Sequence, residues 1–364
     1  MNTRRYFEFI LFPNLFAILV LFLSPQLFAE EDFILDDLPD HVTATIEARD
    51  QWFATLPQGN KSGFEYFVDD LQKWSPGHTV RVAFLGGNST LHKEIADATK
   101  QITDACNIKL DFGFNPATGQ YRTWSTSDTS YAAEIRVSFD QKGYFSLVGR
   151  DSINPSIGAA GRPVGGRPNQ RSLNLGGFHI ARPASWIKTT RHEFLHALSF
   201  NHEHQSPIGG CDSQFRWEND PGYQLTQDSN GVYITDLSGK RPGIYTYLSG
   251  APNHWSRAKV DHNLRQAQPG SGTAGPFDRE SIMLYRFPNL FYVSIPNSCA
   301  PVGNGSNLSD GDIAGLQTLY PSEQNRILSF QNRQKQLFET MNKSSQLDSK
   351  IKKFYSAPIY SAPK

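Results

Sequence analysis

The chain has 364 residues, with 35 Lys and Arg against 35 Asp and Glu, so its formal charge is zero. That balance argues against a nucleic-acid binder acting through bulk charge, which needs a basic excess. The 38% hydrophobic and 19% charged content excludes a wholly disordered chain, and three Cys are too few for a disulfide-dense scaffold.

Residues 1–29 read as a secretory signal. Arg4 and Arg5 form a basic start, and an apolar run from Leu15 to Leu23 follows. The run is shorter than the roughly 20 residues needed to span a bilayer. Ala29 is a small residue suited to the cleavage site. The expected location is therefore secreted, or periplasmic in a bacterium with an outer membrane, with no stable membrane insertion once the signal is cut. Export permits disulfides. Cys211 with Cys299 is one of the three single bridges open to Cys106, Cys211 and Cys299.

Residues 30–50 carry eight acidic side chains and one basic one. They read as an exposed leader within an extension reaching residue 73. The compact region is expected to start near Trp74. Strands are predicted at Thr79–Leu85, Lys109–Phe114, Ala133–Phe139, Tyr144–Val148 and Ser172–Leu175, where apolar and β-branched residues alternate between turn residues. Leu91, Ile95, Ala98, Ile102 and Ala105 recur at helical spacing, predicting one helix over 90–105. A second helix is predicted from Pro183 to Phe200. Residues 205–280 are irregular, with a helical stretch at Trp255–Leu264. A helix over 310–320 would take Ser309 or Asp310 as its N-cap. The tail 324–364 carries eight basic and two acidic residues. It is expected to be solvated, helical at first and disordered at its end. Alternating strands and helices in this order imply an α+β layer with a mixed, twisted sheet.

The chemistry concentrates in His192-Glu193-Phe194-Leu195-His196, followed by His202. Positions i and i+4 share a helix face, so His192 and His196 aim two imidazoles at one point, as a zinc ion requires. Glu193, one residue on, is placed to act as a general base on water at the metal. On a continuous helix His202 would face the wrong way, so the helix has to end and turn near Ser199. Three imidazoles leave a fourth position for water, the pattern of a catalytic zinc site.

The chain here resembles the metzincin zinc endopeptidases, and among them the astacin-like branch. The resemblance rests on HEFLHALSFNHEH (192–204), on Ser281-Ile282-Met283-Leu284-Tyr285 and on Leu308-Ser309-Asp310 through Leu319-Tyr320. It covers roughly Trp74 to Pro321. It implies a catalytic domain over 74–323 with subdomains of about 74–203 and 204–323. Two long helices would lie in the first subdomain, the second would be irregular, and the active-site cleft would run between them. The resemblance also implies His192, His196 and His202 as zinc ligands, Glu193 as base and Met283 as an apolar floor under the ligands. Tyr285 would be a phenol that ligates zinc at rest and swings to hold the oxyanion, a role suited to a neutral donor. Ala133–Phe139 would lie near the cleft edge, where a strand pairs the substrate backbone antiparallel.

Some positions depart from that pattern. Ser199 stands where the family has Gly at the turn, and a left-handed Ser costs roughly 1 kcal/mol. Leu284 replaces the commoner His. Glu203 follows the third ligand as in astacins, but the expected mature N-terminus lies too far upstream to reach it. Asp36 and Asp37 are candidates for a latency ligand, without a convincing switch motif around them. His204 reads as a neighbour of the site rather than a fourth ligand. His179, His254 and His262 lack metal spacing, and Asp278 reads as a backbone cap.

The leading expectation is a secreted zinc endopeptidase with protein or peptide substrates, Zn2+ as cofactor and no nucleic-acid partner. A rival enzyme reading takes Glu218 as third ligand. A reading from another class is a secreted binding or adhesion protein with a vestigial zinc site.

Overall fold

The computed structural model describes residues 36–54, 71–266, 275–343 and 354. The predicted signal and the terminal Tyr-Ser-Ala-Pro repeat lie outside the described residues. A five-stranded sheet runs in the order β2-β1-β3-β5-β4. Its strands are β1 (Thr79–Leu85), β2 (Lys109–Asp111), β3 (Ile135–Ser138), β4 (Tyr144–Ser146) and β5 (Leu173–Leu175). All pairs are parallel except β4 with β5. The mixed sheet with helices agrees with the expected α+β class, and each strand is one to three residues shorter than predicted except β1.

Val80, Val82 and Phe84 of β1 enter one core with Ile135, Val137, Leu173 and Leu175. Leu91 and Ile95 of helix α2 (Ser89–Ala98) join them. The Asn88 side chain caps that helix by accepting the Leu91 N–H at 2.9 Å. The single helix predicted over 90–105 is broken at Thr99, and α3 (Lys100–Ala105) follows. The Thr99 hydroxyl donates back to the Ala96 carbonyl at 2.9 Å, a bond that competes with the helical ladder. The motif-bearing helix α4 (Trp186–Ala197) seats Phe194, Leu195 and Ala197 in the same core.

The strand expected at the cleft edge is in the interior. β3 lies between β1 and β5, and β4 forms the edge on that side. All four residues Ile135, Arg136, Val137 and Ser138 are buried. Arg136 is fully buried and spends its guanidinium on main-chain carbonyls, among them Gln170 at 2.7 Å and Ser152 at 2.5 Å.

A second core gathers Cys211, Phe215, Ile244, Leu248, Trp255, Val260, Leu264, Tyr285 and Phe291. It takes in α5 (Ile244–Ser249) and α6 (Arg257–Leu264). Cys211 and Cys299 are joined by a disulfide across 88 residues, and Cys106 is free. Helix α7 (Asp310–Leu319) takes Ser309 as its N-cap, in a reciprocal capping box with Asp312.

The described part of the leader, from Asp36 on, is not an exposed segment. Helix α1 (Asp40–Ala54) and the residues before it pack Leu38 and Val42 against Phe145, Leu147, Ile157 and Val164. Leu38, Val42 and Ile46 recur every fourth residue, a stripe hidden within an acidic composition. The Asp37 N–H donates to the Tyr144 carbonyl at 3.1 Å, pairing the leader parallel to β4. Its charges meet α6: Lys259 binds Asp37, and His262 lies 3.1 Å from Glu47. Arg49 forms a buried ion pair with Asp151.

The first part of the tail is docked rather than solvated. Helix α8 (Gln324–Lys343) buries Phe330 and Gln334. Lys73 lies over the Phe330 ring at 5.7 Å, and Arg150 lies over Phe354 at 5.2 Å. A basic composition concealed the apolar anchors. Truncating Phe330 to Ala should lower unfolding free energy by about 3 kcal/mol, read as a shifted midpoint in denaturant; an unchanged midpoint would show that the tail does not stabilise the body.

Candidate metal centre

Asp36, His192, His196 and His202 each offer one ligand atom, and these four atoms lie within 4.8 Å of one another. All four residues are buried. Helix α4 supplies His192 and His196 from one face. It ends at Leu198, and Ser199 turns the chain with φ of 73°. The left-handed Ser predicted from the sequence is therefore present. Its hydroxyl donates to the Gln72 carbonyl at 3.1 Å. Gly149 leaves the room for this contact, since a Cβ there would lie 2.2 Å from both the Ser199 hydroxyl and the Gln72 carbonyl. The turn swings His202 back onto the other two imidazoles.

The hydrogen bonds on the outer nitrogens decide what the inner ones can do. His192 Nδ1 lies 2.9 Å from the Ile282 carbonyl, and His196 Nδ1 lies 2.7 Å from the Phe200 carbonyl. His202 Nδ1 lies 3.2 Å from Gln205 Oε1. Carbonyl oxygens only accept, so each Nδ1 carries the proton and each neutral ring leaves Nε2 bare. The bare Nε2 atoms face one another, with His196 3.1 Å from both His192 and His202. Lone pairs at that separation have no donor between them. Imidazole nitrogens about 2.0–2.1 Å from a tetrahedral zinc lie about 3.3 Å apart, so the donor set fits the ion.

Burial, then the neighbouring His196, pushes His192 down to about 3. The same two causes lower His202. The rings are thus held in the neutral form that binds metal. Asp36 Oδ2 lies 3.0 Å from His196 Nε2 and 3.4 Å from His202 Nε2. Burial raises its pKa; a proton on the facing His196 or His202 Nε2, or a cation in its place, would lower it well below the carboxylate range. Among the described residues, Asp36 Oδ1 and both Glu193 oxygens are buried with no hydrogen-bond partner beyond the two carboxyl groups themselves. Burial, then the Asp36 charge, raises Glu193 well above its ordinary value. These orphaned oxygens are what an ion and water would satisfy.

Tyr285 stacks on this group, its ring centroid 5.6 Å from His192 and 4.3 Å from His202. Its hydroxyl accepts the Asp36 N–H at 2.9 Å. Met283 is fully buried in the core with Phe194 and Leu195, and its carbonyl accepts the Glu203 N–H at 3.1 Å. Glu203 in turn accepts the Asp278 N–H at 2.9 Å, and burial pushes its carboxyl up to about 7. His204 stands beside the group, with Nε2 3.0 Å from the Asn263 carbonyl. Glu218 pairs with Arg257 at 2.7 Å and is not among the grouped residues, so the rival third ligand is not brought to the site.

Two contributors were not assigned by sequence reading. Asp312 accepts the Ser281 hydroxyl at 2.6 Å and the Ile282 N–H at 3.0 Å. The cap of α7 thus fixes the turn whose carbonyl orients His192. Gln205 is the other, and its only sequence signal is that it follows His202 by three residues. Asp36 was weighed as a latency candidate without a motif, and the structure puts it inside the group; Asp37 lies outside, paired to Lys259.

No family model and no curated protein matches the chain. Similar solved structures include two of myroilysin, each 25% identical to this chain over 69% of its length. They are covered to 97% and 86%, with TM-scores of 0.47 and 0.41. Another is high choriolytic enzyme 1, a hatching enzyme zinc-protease from Oryzias latipes (medaka fish). It is 17% identical over 69% of this chain and 96% of its own, with a TM-score of 0.39.

Zinc at a free concentration of 100 times its Kd should stabilise the full chain by about 2.7 kcal/mol in denaturant unfolding. His196→Ala should abolish that gain; an equal gain in the variant would place the ion elsewhere. Backbone agreement with the solved structures is loose, and the resemblance to astacin-like metzincins rests on this chain's own residues: three converging imidazoles, Glu193 beside them, and the Met283–Tyr285 turn, whose preceding Ile282 carbonyl is bonded to His192.

Proposed function

We propose that the protein is an exported zinc endopeptidase of the astacin-like type, made in a latent form with its own leader in the active site. The observation that carries this reading is the meeting of three bare Nε2 atoms beside an unpartnered, buried Glu193. His192, His196 and His202 would hold the ion. When bound, zinc supplies a Lewis acid that polarises a peptide carbonyl and lowers the pKa of water. Glu193 takes the proton from the attacking water and returns it to the leaving amine. Its raised pKa favours holding that proton between the two steps. Tyr285 donates its hydroxyl to the oxygen on which charge develops. The disulfide and the predicted signal support export, since such bonds persist in oxidising compartments. No helix of the described residues is long and apolar enough to cross a membrane.

Latency follows from the leader's position. Asp36 supplies a carboxylate where the fourth ligand would be, and its N–H ties up the Tyr285 hydroxyl. Asp36 and Asp37 also cover the edge strand β4, and they run parallel to it. A substrate is expected to pair antiparallel, so the leader fills the cleft with reversed polarity. We retain 74–323 as the proposed catalytic domain, with its two subdomains.

Glu193→Ala should keep zinc and reduce peptide-bond hydrolysis by at least 10²–10⁴-fold. Cleavage near the wild-type rate would overturn the assignment of the base. Asp36→Ala should raise hydrolysis by the unprocessed chain, measured before any leader is lost; an unchanged rate would remove Asp36 from latency.

A further inference from the structure

The three imidazoles are oriented in two different ways. His192 and His196 donate to main-chain carbonyls, which no side-chain substitution removes. His202 alone depends on a side chain, that of Gln205, with Oε1 at 3.2 Å from Nδ1. The amide at the other end of the contact is itself fixed. Gln205 Nε2 donates to the His262 carbonyl at 2.9 Å and to the Arg265 carbonyl at 3.3 Å. Two carbonyls demand a donor, so the nitrogen has to face them and the oxygen has to face His202. A proton is thereby required on His202 Nδ1, and its Nε2 is bare toward Asp36 and His196.

We propose that Gln205 is the positioning residue of the third ligand: it fixes the tautomer and aim of His202 by anchoring that ring to the C-terminal end of α6. The proposal rests on the metal site described above. Its geometry has a further consequence. The same helix presents Lys259 to Asp37 and His262 to Glu47 of the leader. One short helix therefore holds both the third imidazole and the segment that occupies the site. A group that orients a ligand through its second nitrogen typically changes metal affinity 10–100-fold when removed.

The test uses the full chain and two variants. Gln205→Leu removes both ends of the bridge. Gln205→Glu keeps an acceptor for His202 but sets a carboxylate against the two carbonyls. Zinc affinity is measured by competition with a chromophoric chelator, the visible absorption spectrum is recorded with cobalt, and thermal unfolding is followed in parallel. Gln205→Leu should weaken zinc 10–100-fold and alter the cobalt bands. Gln205→Glu should keep zinc affinity and the cobalt spectrum near wild type while its unfolding midpoint falls. That split separates orientation of the ligand from simple support of α6. If Gln205→Leu does not fold, the Glu variant decides the matter by the same two metal readings. Unchanged affinity in Gln205→Leu, or equal loss of affinity in both variants, would overturn the proposal while leaving the metal site intact. A wild-type chain that binds neither zinc nor cobalt would overturn both.

Discussion

Everything at the centre of this protein depends on where three Nδ1 protons go. A neutral imidazole has one donor and one acceptor nitrogen, and the partner of the first sets the direction of the second. Here the partners are the Ile282 carbonyl, the Phe200 carbonyl and the Gln205 amide. They belong to the Met283 turn, the turn after α4, and a side chain moored to α6. Two stretches of the sequence, 200–205 and the turn at Ile282, are thus needed to point three lone pairs at one place. The rest of the core serves that alignment. Asp312 fixes the Met283 turn from the cap of α7, and the Trp74 indole donates to the Ala197 carbonyl at 2.8 Å, where α4 ends.

The cost of this arrangement is electrostatic. Asp36 and Glu193 are two neighbouring buried carboxylates, and an unpaired buried charge is strongly destabilising. The two acids divide the load unequally. Positive charge at the facing imidazole nitrogens would favour the ionised form of Asp36, while burial and then Asp36 favour the protonated form of Glu193. The same contrast suits the roles proposed for them, one as a charged occupant and the other as a group that accepts and releases a proton. Holding Asp36 there takes a whole anchored leader. Apolar packing by Leu38 and Val42, the Arg49–Asp151 pair and the contacts to α6 all contribute.

Local rules made much of this legible. The i, i+4 pairing of His192 and His196, the break forced at Ser199, and the Ser309 cap each follow from the geometry of one helix and its ends. The strands were found because alternation survives in short windows, although their ends were overestimated. What failed had a common cause. The strand expected near the cleft edge is interior, and carbonyls from neighbouring segments satisfy its buried Arg136. The leader and the tail looked solvated because net charge dominates their composition. Three apolar positions at helical spacing in one, and Phe330 in the other, are enough to dock them.

The sequence by itself determined the shared face of His192 and His196 on α4, the need for a turn before His202, and the class of the sheet. Those are consequences of backbone period and of residue type, and they hold wherever the segment is placed. Only the tertiary structure decided which strand is the edge, that Cys211 meets Cys299, that Asp36 joins the three histidines, and that Asp312 and Gln205 bond the Met283 turn and His202. Apart from the local His202–Gln205 contact, whose anchor on α6 is distant, each of these is a contact between segments far apart along the chain, where no periodicity constrains the pairing and only packing and hydrogen-bond satisfaction select the partner.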